Sequence, residues 1–193
     1  MPLWGTGFDP IEEAGRRLVK LTRQDILRLF EFLDHELCEA GAEGEVYLVG
    51  GAVMCLALDA RAATRDVDAT FRPTRLVREA AARAAVTANA PENWLNDAVK
   101  GYLSPRGEYD AFLDLPNLRV FVARPGYLLA MKCAAMRLGE EFHDLEDVRY
   151  LLRYLNITTA AEAMAVVTRY FDEAQLLPKT HLALAELLAP RES

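Results

Sequence analysis

The sequence predicts an α+β protein: a small mixed or antiparallel sheet flanked by helices, followed by a helical C-terminal part. Three observations predict it. An apolar strand, Glu45 to Val49, runs straight into Gly50-Gly51; an alternating strand spans Arg65 to Phe71; and beyond Pro125 apolar residues recur at helical spacing to the end of the chain. At 193 residues the chain is long enough for one sizeable core, with an α/β core at 22–123 and a helical part at 124–193.

Taken in order, residues 1–21 start irregularly and turn helical from Pro10. Thr22 is placed to cap a helix to about Ala40, with Asp25 in its first turn, and Ile26, Leu27, Phe30, Leu33 and Leu37 mark its apolar face. Gly41 and Gly44 end that helix, and Gly51 opens a short apolar one to about Leu58. In the strand from Arg65, alternation puts Val67, Ala69 and Phe71 on one face and Asp66, Asp68 and Thr70 on the other. Pro73 stops it, and Thr74 is placed to cap a helix to about Ala88. After Pro91, Trp94-Leu95-Asn96-Asp97 is read as the start of a shorter helix, and strands follow at Asp110–Leu115 and Leu118–Ala123. Helices are expected at 126–138, 144–155, 159–172 and 180–189, the third opened by a capping box of Thr159 and Glu162.

Composition narrows the class. Hydrophobic residues make up 52% and charged residues 26%, ordinary for a globular protein, and no apolar run approaches the ~20 residues that span a bilayer. Met1-Pro2-Leu3-Trp4-Gly5 lacks the pattern of a signal peptide, so a cytoplasmic location is expected. Cys38, Cys55 and Cys133 are far apart and embedded in apolar helical patterns, as reduced core cysteines would be, and no zinc-ligand spacing is present. The net charge of −7 argues against a protein that coats nucleic acid, yet six arginines (61, 65, 72, 75, 78, 83) surround one acidic pair. A polyanionic ligand fits that local charge.

The acidic pair is Asp66 and Asp68. Two carboxylates one residue apart on a strand point the same way, roughly 6–7 Å apart along the backbone, and can share a divalent cation. Mg²⁺ usually takes one or two carboxylates and completes its shell with phosphate and water. Gly50-Gly51, fifteen residues earlier, lets a backbone turn tightly and come close to a phosphate. Strand, Gly-Gly, helix, strand, Asp-x-Asp is therefore an order suited to holding a metal-bound nucleoside triphosphate.

That stretch resembles the nucleotidyltransferase superfamily with the polymerase-β-like fold. Leu48-Val49-Gly50-Gly51-Ala52 and Arg61-Ala62-Ala63-Thr64-Arg65-Asp66-Val67-Asp68 are similar to its first motifs. The nearer resemblance is to bacterial AbiEii-like nucleotidyltransferases, the enzymes of type IV toxin–antitoxin and abortive-infection pairs, of which this chain looks like a branch. Tyr127-Leu128-Leu129-Ala130-Met131-Lys132 looks like that group's third motif, and Arg137 with His143-Asp144-Leu145-Glu146-Asp147 like its fourth. The similarity spans roughly residues 45–155.

The resemblance implies transfer of a nucleoside monophosphate from NTP to an acceptor hydroxyl, dependent on Mg²⁺ or on Mn²⁺ in its place. RNA, in particular a tRNA 3′ end, would be the acceptor and an antitoxin protein the cognate partner. It implies Asp66 and Asp68 as metal ligands, and Lys132, as a cation pairing the triphosphate, and Asp144 as further catalytic residues. Gly50, Gly51, Thr64, Arg65 and Arg137 become the contacts to nucleotide and phosphate. Asp144 would act either as third carboxylate or as partner of Lys132. The superfamily's usual third acid lies on a later strand, but Leu118 to Ala123 contains none, and Asp110 and Asp114 are the acids nearby.

Other readings stay open. Thr64 is equally an ordinary strand threonine, and Lys132 a lysine that snorkels to solvent from an apolar helix. Arg75, Arg78 and Arg83 fit either an anion or simple surface pairing. Tyr102, Tyr109 and Phe112 fit either a base pocket or the core. Two further functions compete: nucleotidylation of a protein partner, and a catalytically reduced module that binds nucleotide for regulation.

Overall fold

The computed structural model of the protein describes residues 20–135 and 144–189. A two-residue strand, β1 (Leu21–Thr22), leads into helix α1 (Arg23–Glu39). A reciprocal capping box starts that helix. The Asp25 N–H donates to Thr22 Oγ1 at 3.3 Å, and the Thr22 N–H donates to the Asp25 carboxylate at 2.9 Å. These bonds hold the Asp25 carboxyl below its usual value, with the Thr22 hydroxyl the main cause. Gly41, at φ 59°, carries the chain out of the helix through a left-handed turn.

The elements that follow are β2 (Gly44–Leu48), α2 (Gly50–Leu56), β3 (Ala63–Thr64), β4 (Val67–Arg72), α3 (Thr74–Ala88) and β5 (Leu95–Asn96). A 3₁₀ turn at Ala98–Tyr102 precedes β6 (Tyr109–Asp114) and β7 (Leu118–Ala123). Five strands form one mixed sheet in the order β5-β4-β2-β7-β6, and β1 pairs separately with β3. Strand β2 runs antiparallel to β4 and parallel to β7; β4 is parallel to β5 and β7 antiparallel to β6.

Alternation sorts the sheet into a dry face and a wetter one. Val46, Leu48, Val67, Ala69, Phe71, Leu118 and Val120 are buried together with Ile26, Phe30, Leu33 and Leu37 of α1. Val77, Ala80, Ala81 and Ala84 of α3 complete this layer, and their small side chains let α3 lie close to α1. Tyr47, Asp68, Thr70 and Phe121 stay half-buried on the other side. There the Tyr47 ring stacks on Phe121, with centroids 4.8 Å apart, and the Arg72 guanidinium lies over the Tyr47 ring. The expected division of residues 66–71 between two faces is therefore observed, although the strand starts at Val67 and Asp66 lies just before it.

Beyond the sheet come α4 (Pro125–Ala134), α5 (Asp144–Tyr154), α6 (Ala160–Tyr170) and α7 (Pro178–Leu187). Their positions agree with expectation, as does the Thr159–Glu162 capping box of α6. Helix α4 is the centre of this half: Tyr127, Leu128, Leu129, Ala130, Met131 and Cys133 are all buried, against α5 and α6. It is joined to the sheet half by α2 and by the edge of Tyr127 against Tyr109. Among the described residues no helix is long and apolar enough to cross a membrane.

Three expectations need correction, and a fourth falls outside the described residues. Cys55 and Cys133 are buried as foreseen, and burial pushes the Cys133 thiol up to about 12, but Cys38 is exposed. Thr74 is not a cap: Pro73 occupies that position, and the Thr74 hydroxyl donates to the Phe71 carbonyl. The helical start expected for residues 1–21 falls almost wholly on residues outside those described. Finally, Trp94-Leu95-Asn96 does not begin a helix. Trp94 is fully buried, its indole N–H donating to the Ala81 carbonyl and its ring edge-on to Phe30, which draws Leu95–Asn96 alongside Val67–Asp68 as β5. Tertiary burial of one large side chain overrides the local pattern.

Because Trp94 fastens β5 to two helices, Trp94→Ala is expected to destabilise the fold by about 3–5 kcal/mol. Urea denaturation read by circular dichroism checks it, and a loss under ~1 kcal/mol contradicts the anchoring role.

Candidate active site

The site forms where β2 ends. The Val49 N–H donates to the Asp68 carbonyl at 2.9 Å, continuing the β2–β4 pairing by one residue before the chain turns into α2. Gly50 adopts φ 64°, a conformation that favours glycine. A Cβ on Gly50 would stand 3.0 Å from Asp68 Oδ2, and one on Gly51 would stand 2.7 Å from Thr64 Oγ1 and 3.5 Å from Arg61 Nη1. Gly50 is thus favoured by its left-handed backbone with Asp68 close beside it, and Gly51 by its 2.7 Å approach to the buried Thr64. The bare backbone of this turn packs directly on the residues that the sequence marks as functional.

Thr64 is buried, and its hydroxyl donates to the Asp66 carbonyl at 3.2 Å. It braces the bend that delivers Asp66, a role that neither sequence reading of Thr64 includes. Asp66 is half-buried, and the Asn96 side-chain amide donates to its Oδ2 at 3.0 Å. Burial, followed by the neighbouring charge of Asp68, raises the Asp66 carboxyl above its ordinary value; Arg65 and Asn96 oppose the shift. Two carboxylates close enough for one to disfavour ionisation of the other are a donor set suited to a hard cation, which would relieve that repulsion.

A second cluster lies on α4 and α5. Lys132 keeps only 15% of its side chain exposed and places Nζ 3.0 Å from Asp144 Oδ1 and 2.8 Å from Asp147 Oδ2. Asp144 and Asp147, one turn apart in the first turn of α5, are both buried. Arg61 Nη2 approaches Asp147 Oδ1 at 2.6 Å. Arg61 Nη2 and Asp147 Oδ2 are buried outside hydrogen-bond geometry, so these approaches are ionic contacts and not directed bonds. Lys132 therefore does not snorkel to solvent. Of the two roles open to Asp144, partner of Lys132 is the one observed.

Gly50, Gly51, Thr64, Asp66 and Asp68 are thus brought together, and Arg61 ties them to Lys132, Asp144 and Asp147. Arg65 is exposed beside Asp66. Arg137 and His143 lie outside the described residues. Asp110 and Asp114 sit on β6, three strand spacings from β4 or about 14 Å, too far to join Asp66 and Asp68. Asp110 instead pairs with Arg124 at 2.7 Å. Among the described residues no three metal-binding side chains converge.

The surrounding arginines are engaged with acids. Arg72 meets Glu45 at 2.6 Å, Arg75 meets Glu79 at 3.7 Å, Arg78 meets Asp97 at 2.6 Å and Arg83 meets Glu36 at 2.6 Å. The aromatic trio does not share one environment: Tyr109 packs on Tyr47 and Tyr127, Phe112 lies under the Arg23 guanidinium, and Tyr102 is exposed. Sequence reading missed Asn96 altogether. The local signal, apolar Trp94-Leu95 followed by polar Asn96, does not separate a strand from a helix start.

Comparison with known proteins returns nothing. No family model, no curated protein and no solved structure matches the chain.

Two predictions follow from the close packing and the carboxylate pair. Gly51→Ala is expected to cost about 1–3 kcal/mol through overpacking against Thr64, and Thr64→Ala in the same chain to recover part of that loss by opening the contact. Strict additivity in thermal denaturation would disprove the contact. In metal-free protein, Asp66→Asn is expected to raise stability at neutral pH by up to about 1 kcal/mol, the partly exposed charge being screened. A carboxyl raised on folding penalises the folded state above its raised value, and the penalty vanishes below the ordinary carboxylate range. The advantage of the variant should therefore disappear as pH falls to about 3, and a constant advantage across pH would contradict the assignment.

Proposed function

We propose that this chain is a nucleotidyltransferase of the AbiEii-like kind, built on a polymerase-β-like fold. It would move a nucleoside monophosphate from NTP to an acceptor hydroxyl. The observation that carries this reading is the contact of the Asp66/Asp68 carboxylate pair with the Gly50-Gly51 turn, where a Cβ on Gly50 would stand 3.0 Å from Asp68 Oδ2.

Asp66 and Asp68 would hold Mg²⁺, or Mn²⁺ in its place. The bound ion would supply charge neutralisation at the reacting phosphate and lower the pKa of the attacking hydroxyl. With two carboxylates from the chain, the remaining ligands come from phosphate and water, as Mg²⁺ favours. Asn96 occupies Asp66 Oδ2 and so orients that carboxylate. In the reaction the acceptor oxygen bonds to the α-phosphorus, the bond to the β-phosphate bridging oxygen breaks, pyrophosphate leaves and the hydroxyl proton passes to solvent.

RNA, and specifically the tRNA 3′ end, is the acceptor this reading favours, with the chain as the toxin of a cytoplasmic toxin–antitoxin pair. The negative net charge of −7 suits a transient grip on one RNA end better than tight nonspecific binding. One observation favours a second reading, a catalytically reduced nucleotide-binding module. Strand β7 carries no acid, and Lys132 is engaged by two carboxylates.

Labelled NTPs offered with Mg²⁺ to tRNA and to cell protein test these readings. Label on RNA with pyrophosphate release is expected, and Asp66→Ala and Asp68→Ala should each lower it by about 10²-fold or more. Label on protein instead identifies a protein acceptor. Equal transfer by wild type and Asp66→Ala sinks the enzymatic reading, and nucleotide binding without transfer supports the reduced module.

A further inference from the structure

We propose that Arg61 is the cation that meets the triphosphate of the incoming nucleotide, the part the sequence resemblance gives to Lys132. The inference rests on the nucleotidyltransferase reading and deepens it.

Position is the first argument. Arg61 Nη1 stands 3.5 Å from the point a Cβ on Gly51 would occupy, so the guanidinium lies beside the backbone of the turn that faces the carboxylate pair. Lys132 is placed otherwise. Its ammonium sits between Asp144 and Asp147, 3.0 Å and 2.8 Å away, with only 15% of the side chain exposed.

Chemistry is the second. A guanidinium carries five N–H donors in a fixed fork. One end of the fork, Nη2, is buried against Asp147 Oδ1 at 2.6 Å, while 23% of the side chain stays exposed. The buried ionic contact at one end keeps the group beside the turn, and a planar guanidinium binds phosphate oxygens in a two-point manner that an ammonium does not reproduce. The anchor is itself held, because Asp147 also contacts Lys132. Lys132 and Asp147 thereby act as positioning residues for Arg61.

Calorimetric titration with inorganic tripolyphosphate and with NTP, both with Mg²⁺, tests the inference without relying on turnover. Arg61→Gln is expected to raise Kd for both about 10- to 100-fold, the size of losing charge-assisted hydrogen bonds. Arg61→Lys keeps the charge but loses the fork, so a rise of about tenfold is expected, and this variant carries the test where Arg61→Gln does not fold. Lys132→Met is expected to lower the melting temperature while changing Kd less than Arg61→Lys does. If wild type binds NTP and Arg61→Lys binds it equally well, the inference is overturned and the nucleotidyltransferase reading stands. If wild type binds neither probe, that reading falls as well.

Discussion

The absence of two β-carbons governs the arrangement of this protein. Strand β2 turns into α2 where the turn lies against Asp68 on one side and Thr64 on the other, at separations that leave little room for a β-carbon at position 50 or 51. From that contact the rest follows. Thr64, pressed on the turn, braces the bend before β4; the bend sets Asp66; and β4 aligns Asp68 beside it. The sheet contributes its dry face to the core, where α1 and α3 cover it, and keeps its polar alternate residues for the site. One sequence period of two thus gives β4 a core side and a side that carries the candidate carboxylate Asp68.

The helical half obeys a different constraint. Lys132, Asp144 and Asp147 are withdrawn from water on two helices whose other inward residues are apolar. Burying one such charge alone would cost several kcal/mol, and only mutual pairing makes the arrangement tolerable. Arg61 extends the pairing across to the sheet half. The two halves therefore meet through charge as well as through the packing of α2 on α4, and Tyr150 adds a hydrogen bond to the Leu58 carbonyl at 2.8 Å. Apolar packing fixes the distance between the halves, whereas charge fixes their register.

Much of this was legible in the sequence, for physical reasons. The capping boxes at Thr22–Asp25 and Thr159–Glu162 are local, so they are read without knowing the fold. The division of Asp66, Asp68 and Thr70 from Val67, Ala69 and Phe71 depends only on strand geometry. Asn96 was not legible, because its place comes from Trp94 reaching a carbonyl on α3 and a ring on α1, contacts far away along the chain. The same is true of Lys132: its apolar helix says that it is buried, but not that two acids from α5 await it. Arg61 stood among six arginines of equal appearance. All but the exposed Arg65 meet an acid, and what sets Arg61 apart is tertiary: its partner Asp147 is buried and its guanidinium lies against the Gly51 turn.

Strand β5 is two residues long, and that brevity has a bearing on how the protein behaves in solution. Without it, β4 would form the rim of the sheet and present unpaired backbone groups next to its carboxylates. With it, the acidic end of β4 is closed by a strand too short to template another. At the opposite rim, β6 is interrupted by a bulge between Ala111 and Leu113 and carries exposed Asp110 and Asp114. The Val67–Asp68 end of β4 and the β6 rim both discourage strand addition from a second copy, one by the shortness of its partner strand and the other by irregularity and charge.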